Sequence, residues 1–233
     1  MCQRGTRLLT AYVLAGMVGH TNWYGRWMPR QMPSSADNSR TRLLAATIDL
    51  VRANGYSGTR VDDVCAAAGV TKGSFFHHFA SKEELAIAAA GAWNERAAQV
   101  FAAARYNTKA DPLARLLGYV DYRKELLAGE MWEFSCYAGT TIQETHESHP
   151  EIRAACAGTI EKHLQMLVGM IDAALAVYPV PKLVPGRLAT HIQAVIQGAF
   201  IMAKARQDKH AALDSLDHLR LYLELLFAQK HKR

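Results

Sequence analysis

From Arg40 onward the apolar positions recur at helical spacing. Leu44, Ile48 and Val51 share one face, with Leu43 and Leu50 beside them. Asn54-Gly55 is expected to end this first helix, because glycine tolerates the left-handed conformation of helix ends. Thr59 opens a second helix with Asp62 three residues on, a capping-box arrangement. Val61, Val64, Cys65 and Ala68 form its i, i+3, i+4, i+7 stripe, and Gly69 ends it. Thr71 is a natural N-cap for a third helix, in which Phe75 and Phe79 lie one turn apart and face inward. Ser81 with Glu84 opens a long, alanine-rich fourth helix to about Arg105.

Asp111-Pro112 restarts the chain, since proline is favoured just inside a helix. Helices are expected over residues 112–127, 131–147, 150–177, 185–207 and 211–228. Pro150, the stretch Pro179-Val-Pro-Lys-Leu-Val-Pro185 and Gln207-Asp-Lys-His210 punctuate them. No segment shows sustained strand alternation. The predicted fold class is all-α, with about nine helices. It divides into a helix-turn-helix domain of three helices at 39–85 (motif 60–79) and a helical body at 86–228.

The chain has 233 residues and a formal net charge of +6. Residues 1–38 and the tail 229–233 each carry +3, and so do residues 39–82, whereas 83–228 carries −3. A basic front segment on a mildly acidic body is expected if only one end meets phosphate. Arg4 and Arg7 precede the apolar run 8–18, which mimics a signal peptide but is too short to span a bilayer comfortably. No good small-residue cleavage site follows it. The expectation is that translation starts at Met28 or Met32 and that residues 1–38 are otherwise a disordered extension. A mobile arm and a surface-associating helix are the alternatives. Cys2, Cys65, Cys136 and Cys156 show neither paired nor metal-like spacing, which fits a reducing, cytoplasmic compartment and no stable membrane association.

The segment 60–79 carries the chemistry. A helix-turn-helix reads DNA with the start of its second helix, and here that start is small, polar and basic. Thr71 and Lys72 are expected against phosphate and groove edges, and Gly73 permits close backbone approach. Ser74 and His77 are expected to reach base edges. Thr59, Arg60 and Lys82 flank the motif, with Thr59 and Lys82 placed to grip phosphates on either side. A three-helix domain that binds protein instead of DNA is the plainer reading, and the Thr-Lys-Gly-Ser helix start argues against it.

Residues 40–90 resemble the N-terminal domain of the TetR family of bacterial transcriptional regulators. The matching features are Arg42-Leu-Leu-Ala-Ala, Asn54-Gly-Tyr56, Val61-Asp-Asp-Val64, Ala68-Gly-Val-Thr-Lys-Gly-Ser74, His78-Phe79 and Ser81-Lys-Glu-Glu-Leu85. The resemblance implies an all-helical homodimer that binds double-stranded DNA at a palindromic operator. Its body binds a small molecule, expected to be largely apolar, and the bound form releases the operator. The family usually has tyrosine where this chain has Phe76, so a phosphate contact from that hydroxyl is lost. An enzyme or carrier with a vestigial helix-turn-helix is the alternative function.

Beyond residue 90 the resemblance is looser. It rests on Trp132-Glu-Phe-Ser-Cys-Tyr-Ala-Gly139, Pro150-Glu-Ile-Arg153, Gln197-Gly-Ala199 and Ala203-Lys204. Such bodies dimerise through their last two helices, here 185–228. The stripe Leu188, Ile192, Val195, Ala199, Met202 and the stripe Leu216, Leu219, Leu223, Leu226 serve either core or dimer, and Ile196, Phe200 and Phe227 supply a second apolar side. Trp93, Tyr119, Trp132, Tyr137, His163 and Met166 are the candidate effector-binding residues. A stripe of methionine and aromatic residues is more often plain core. Cys136 and Cys156 serve either as a thiol sensor or as small core residues. His146-Glu-Ser-His149 is one residue short of a zinc-protease motif and has the wrong spacing for metal. No catalytic residue, metal site or cofactor is expected.

Overall fold

The computed structural model describes residues 38–228. The expected extension with its apolar run and alternative starts, and the basic tail, lie outside the described residues. Among the described residues there are nine α-helices and no strand. They are α1 (Ser39–Gly58), α2 (Val61–Ala68), α3 (Lys72–His78), α4 (Lys82–Ala102), α5 (Pro112–Glu125), α6 (Tyr137–Thr145), α7 (Pro150–Val177), α8 (Pro185–Arg206) and α9 (His210–Ala228). Short 3-10 turns at Arg105–Thr108 and Leu126–Ala128 flank α5.

Most helix starts follow the expected capping chemistry. Thr71 Oγ1 accepts the Ser74 N–H at 3.1 Å, and Ser81 Oγ accepts the Glu84 N–H at 3.1 Å. The Glu84 carboxylate reaches back to the Ala80 N–H at 2.7 Å. Asp111 caps α5, accepting the Ala114 N–H at 2.9 Å, with Pro112 at the first helical position.

Three expectations change. First, Gly55 kinks α1 instead of ending it. Its φ of 80° breaks the helix, and one more turn follows to Gly58. Second, the cap of α2 moves one residue on. Thr59 is buried, and its hydroxyl donates to the Gly55 carbonyl at 2.7 Å. Arg60 becomes the N-cap, and Asp63, not Asp62, accepts its N–H at 3.2 Å. Third, residues 131–136 are not helical. Glu133 turns back to accept the Glu130 N–H at 2.8 Å, and the chain runs through turns until Cys136 caps α6. A buried carboxylate bonded to the backbone beats helix propensity here.

Two apolar clusters form. One holds α5, the inner sides of α7, α8 and α9, and Phe101 at the end of α4. The other joins α1–α4, but it also contains Tyr137 and Ala138 of α6 and Ile152 and Cys156 of α7. The helix-turn-helix unit is therefore completed by residues of the body. The Tyr137 hydroxyl, donating to the Ala86 carbonyl at 3.0 Å, locks this junction.

Gly55 sits against the body. A Cβ at Gly55 would collide with the Glu144 carboxylate, and its φ already disfavours any other residue. Gly55→Ala is expected to destabilise the fold by about 1–3 kcal/mol. Thermal unfolding of the two proteins checks this, and an unchanged midpoint is the contrary result.

Candidate nucleic-acid interface and cavity

The start of α3 lies at the surface. Thr71, Lys72 and Gly73 are exposed, Ser74 is half-buried, and His77 is exposed on the same side. Phe75 beneath them is fully buried and fixes which face of this short helix points outward. Lys72 Nζ pairs with Asp62 of α2 at 2.8 Å, with both side chains largely in water. Such a pair contributes little, so Lys72 is free to exchange Asp62 for a phosphate. Lys82 places its Nζ 4.1 Å from the centre of the Tyr56 ring. Arg60 is exposed at the start of α2.

Two residues of the motif look elsewhere. The Thr59 side chain, expected at phosphate, is committed to Gly55 inside the fold. His78 shares a hydrogen bond with Ser39 of α1 and packs inward. Phe76 is the reverse case. It stands 60% exposed, a large apolar ring on the outer face of α3, held edge-on against Phe75. Its surface suits a sugar or a thymine methyl better than a phosphate.

The body holds a cavity of about 460 Å³ between α4, α7, α8 and the 126–136 segment. That volume is typical of small-molecule sites. Of the six residues expected at an effector site, Trp93, His163 and Met166 line it. Tyr119 lies one layer behind, its hydroxyl 2.8 Å from His163 Nε2. Burial, aided by the nearby Arg123 guanidinium, pulls the His163 pKa down to about 3, so its imidazole is neutral at physiological pH. Tyr137 is core at the α4 junction and Trp132 sits beside Arg52, so neither belongs to the wall. Cys136 lines the cavity. Cys156 is fully buried, and burial pushes its thiol up to about 12, which suits a core residue and not a thiolate sensor.

Between cavity and helix-turn-helix lies a charged seam. Arg52 of α1 is buried, and its Nε donates to the Ser135 carbonyl at 2.8 Å. Its guanidinium lies 4.9 Å from the Trp93 ring centre and 5.7 Å from that of Trp132. Burial and neighbouring Arg96 lower its pKa to about 9, which leaves it charged at neutral pH. Ser135 and Trp93 are themselves cavity residues. A few residues along α1, Glu144 of α6 accepts the Tyr56 and Ser57 N–H groups at 2.9 and 2.8 Å. These are the groups that the kink at Gly55 would otherwise leave without partners.

Two family models match separate parts of the chain. Residues 43–89 match the model for bacterial regulatory proteins of the tetR family, and residues 112–217 match the C-terminal domain of LmrA/YxaF-like transcriptional regulators. The chain belongs to the TetR family. It is 31% identical over 136 residues to the transcriptional regulator AcuR of Cereibacter sphaeroides, a match covering 58% of this chain and 62% of AcuR. Against the regulator CymR of Pseudomonas putida it is 41% identical over 59 residues, covering 25% of this chain and 29% of CymR. The aligned stretches thus span less than two thirds of either relative. A crystal structure of regulatory protein TetR from Rhodobacter sphaeroides superposes with a TM-score of 0.71 at 25% identity, covering 78% of this chain and 97% of that one.

As a member of this family the protein is a DNA-binding transcriptional regulator. Among the described residues no helix is long and apolar enough to cross a membrane. Sequence reasoning missed Arg52, Arg123, Glu144, Gln193 and Gln197. Two signals pointed to some of them. Arg52 interrupts the apolar face of Ile48, Val51 and Tyr56, and Gln193 and Gln197 sit one turn apart on the inner face of α8. Glu144 gave no signal, because its partners are backbone groups far away in sequence.

Glu144 also sets a pH dependence. Burial alone would raise its pKa, but the Ser57 and Tyr56 N–H groups and Lys82 outweigh this and hold it below the usual glutamate value. A depressed folded-state pKa contributes stability above the unfolded value, lost as pH falls through the folded one. Glu144→Gln is therefore expected to cost about 1 kcal/mol at neutral pH. The difference from wild type should shrink once the pH falls below about 4.5. Urea unfolding across that range checks it, and a gap that is constant with pH is the contrary result.

Proposed function

We propose that the protein is a repressor that binds a palindromic operator as a homodimer and leaves it when a small molecule fills the cavity. The observation that carries this reading is the seam. Arg52 of the DNA-binding unit is bonded to Ser135 and stacked near Trp93, and both of these are cavity residues. A ligand that shifts either wall residue acts on α1 through one buried cation. A ligand with differential affinity for two placements of α1 moves the equilibrium between DNA-competent and DNA-incompetent states. Operator release fits a protein of the cytoplasm, where its DNA is.

The last two helices support the homodimer. Most of the stripes read as core or dimer surface are core: Leu188, Ile192, Ala199, Leu216, Leu219 and Leu223 are buried. Met202 of the first stripe is exposed, together with residues outside both stripes. Val184, Ile201 and Met202 of α8 and its N-cap, with Leu221, Tyr222 and Leu225 of α9, leave apolar surface in water. Covering it with the same surface of a second copy gives a closed two-fold pair. Two α3 helices about 34–36 Å apart, or a multiple of that, then match successive turns of one face of a duplex. Thr71, Lys72, Gly73, Ser74, Phe76 and His77 form the reading surface, with Arg60 and Lys82 on the flanking phosphates.

Footprinting and gel shift on the DNA beside its own gene test the reading. The expected result is a two-fold symmetric footprint. Lys72→Ala should weaken binding to all sequences and reduce the salt slope by about 1, the signature of one lost phosphate contact. Leu225→Glu should yield monomers in sedimentation and lose the footprint. A dimer with no affinity for this DNA would favour the carrier reading instead.

A further inference from the structure

The cavity wall is mostly apolar with a few polar side chains, and four of its buried polar atoms lack partners. Arg123 of α5 holds its guanidinium 5.4 Å from the Phe101 ring centre and 5.3 Å from that of Phe200. Among the described residues no carboxylate lies within ion-pairing distance of it. Four buried polar atoms of cavity residues have no hydrogen-bond partner within the protein: Arg123 Nε, Ser135 Oγ, Gln193 Oε1 and Gln197 Nε2. Phe200 of α8 links the residues that carry them. Gln193, Gln197 and Phe200 follow one another by a turn, Phe200 meets Arg123, and it also meets Phe134, the neighbour of Ser135.

A buried donor or acceptor without a partner costs about 1–3 kcal/mol, and more when charged. Four such atoms on the residues of one cavity are therefore an unmet requirement of the fold. Arg123, Ser135 and Gln197 offer donors, and the Gln193 amide can turn its NH₂ inward as well. Lys162 stands at the wall too, and no aspartate or glutamate lines the cavity. Cations are disfavoured there, and a neutral ligand leaves Arg123 without a counter-charge. Ala97, Ala98, Phe101, Ile160, Met166 and Met170 supply the apolar remainder.

Resting on the reading of this cavity as the effector site, the geometry points to an organic monocarboxylate with an apolar body as the ligand, its carboxylate held by Arg123, Ser135 and Gln197. A carboxylate offers two acceptor oxygens in one plane, which the guanidinium matches and which the Gln197 and Ser135 donors complete. The apolar chain or ring then lies along α4 and α7. The bound carboxylate takes up the Ser135 hydroxyl, while the Ser135 carbonyl already holds Arg52. Ligand and DNA-binding unit thus share one residue.

Calorimetry on the full-length protein tests this with octanoate and 4-phenylbutyrate, each against its primary amide and its alcohol. At least one acid is expected to bind about tenfold to a hundredfold more tightly than its neutral counterparts, the value of a hydrogen bond to a charged group. Arg123→Met should remove that preference, leaving each acid no tighter than its own amide and alcohol. Equal binding of acids and neutral analogues by the wild-type protein would overturn the inference without recourse to any variant. So would no binding of either acid at millimolar concentration. Gel shift separates this from the regulatory reading. Acids that bind without releasing DNA leave the ligand class standing and remove ligand release. DNA released only by the neutral compounds does the opposite.

Discussion

Arg52 is the constraint around which this molecule is arranged. A guanidinium taken out of water must be enclosed by acceptors and ring faces, or the fold is lost. Here the enclosure is drawn from both halves of the chain. α1 supplies the cation, α4 supplies Trp93, and the turn region before α6 supplies Trp132 and the Ser135 carbonyl. The helix-turn-helix unit is consequently not a bead on a string. Its orientation is set by the same turn region that walls the cavity.

Glu144 acts as a second fastening for the same helix. It occupies the N–H groups that open at the Gly55 kink, and the lack of a side chain on Gly55 lets it come close. Tyr137 adds a third, from α6 to the backbone of α4. All three fastenings join α1 or α4 to residues between 132 and 144. The remainder of the body, α5 with α8 and α9, has its own apolar cluster, and α4 and α7 contribute to both clusters. The segment 132–144 joins the cavity wall to the helix-turn-helix unit by polar contacts with definite geometry, beside the apolar packing of α4 on α1.

Much of this was legible in the sequence, and the exceptions share a cause. Helix positions followed from apolar spacing and capping residues, because those signals are local. The exposed face of α3 was legible for the same reason: Thr71 caps, Phe75 anchors, and the residues between face out. The misplaced features depended on partners distant in the chain. The helix expected from residue 131 gave way to turns that bury Glu133 and present Ser135 to Arg52. Thr59 was drawn inward by the carbonyl that the Gly55 kink exposes. The residues chosen for the cavity divided in the same way. His163 and Met166 are wall, Trp93 is both wall and seam, Trp132 packs on Arg52, and Tyr137 fastens α6 to α4. Hydrophobicity alone does not separate those two roles.

The central claim is that Arg52 ties the DNA-binding unit to the cavity wall as one mechanical body. Residue-resolved amide exchange in wild type and Arg52→Ala tests it most directly. The account predicts faster exchange on both sides of the seam, in α1 and in residues 129–145, with the amides of α8 and α9 unchanged. Acceleration confined to α1, or none at all, would contradict it.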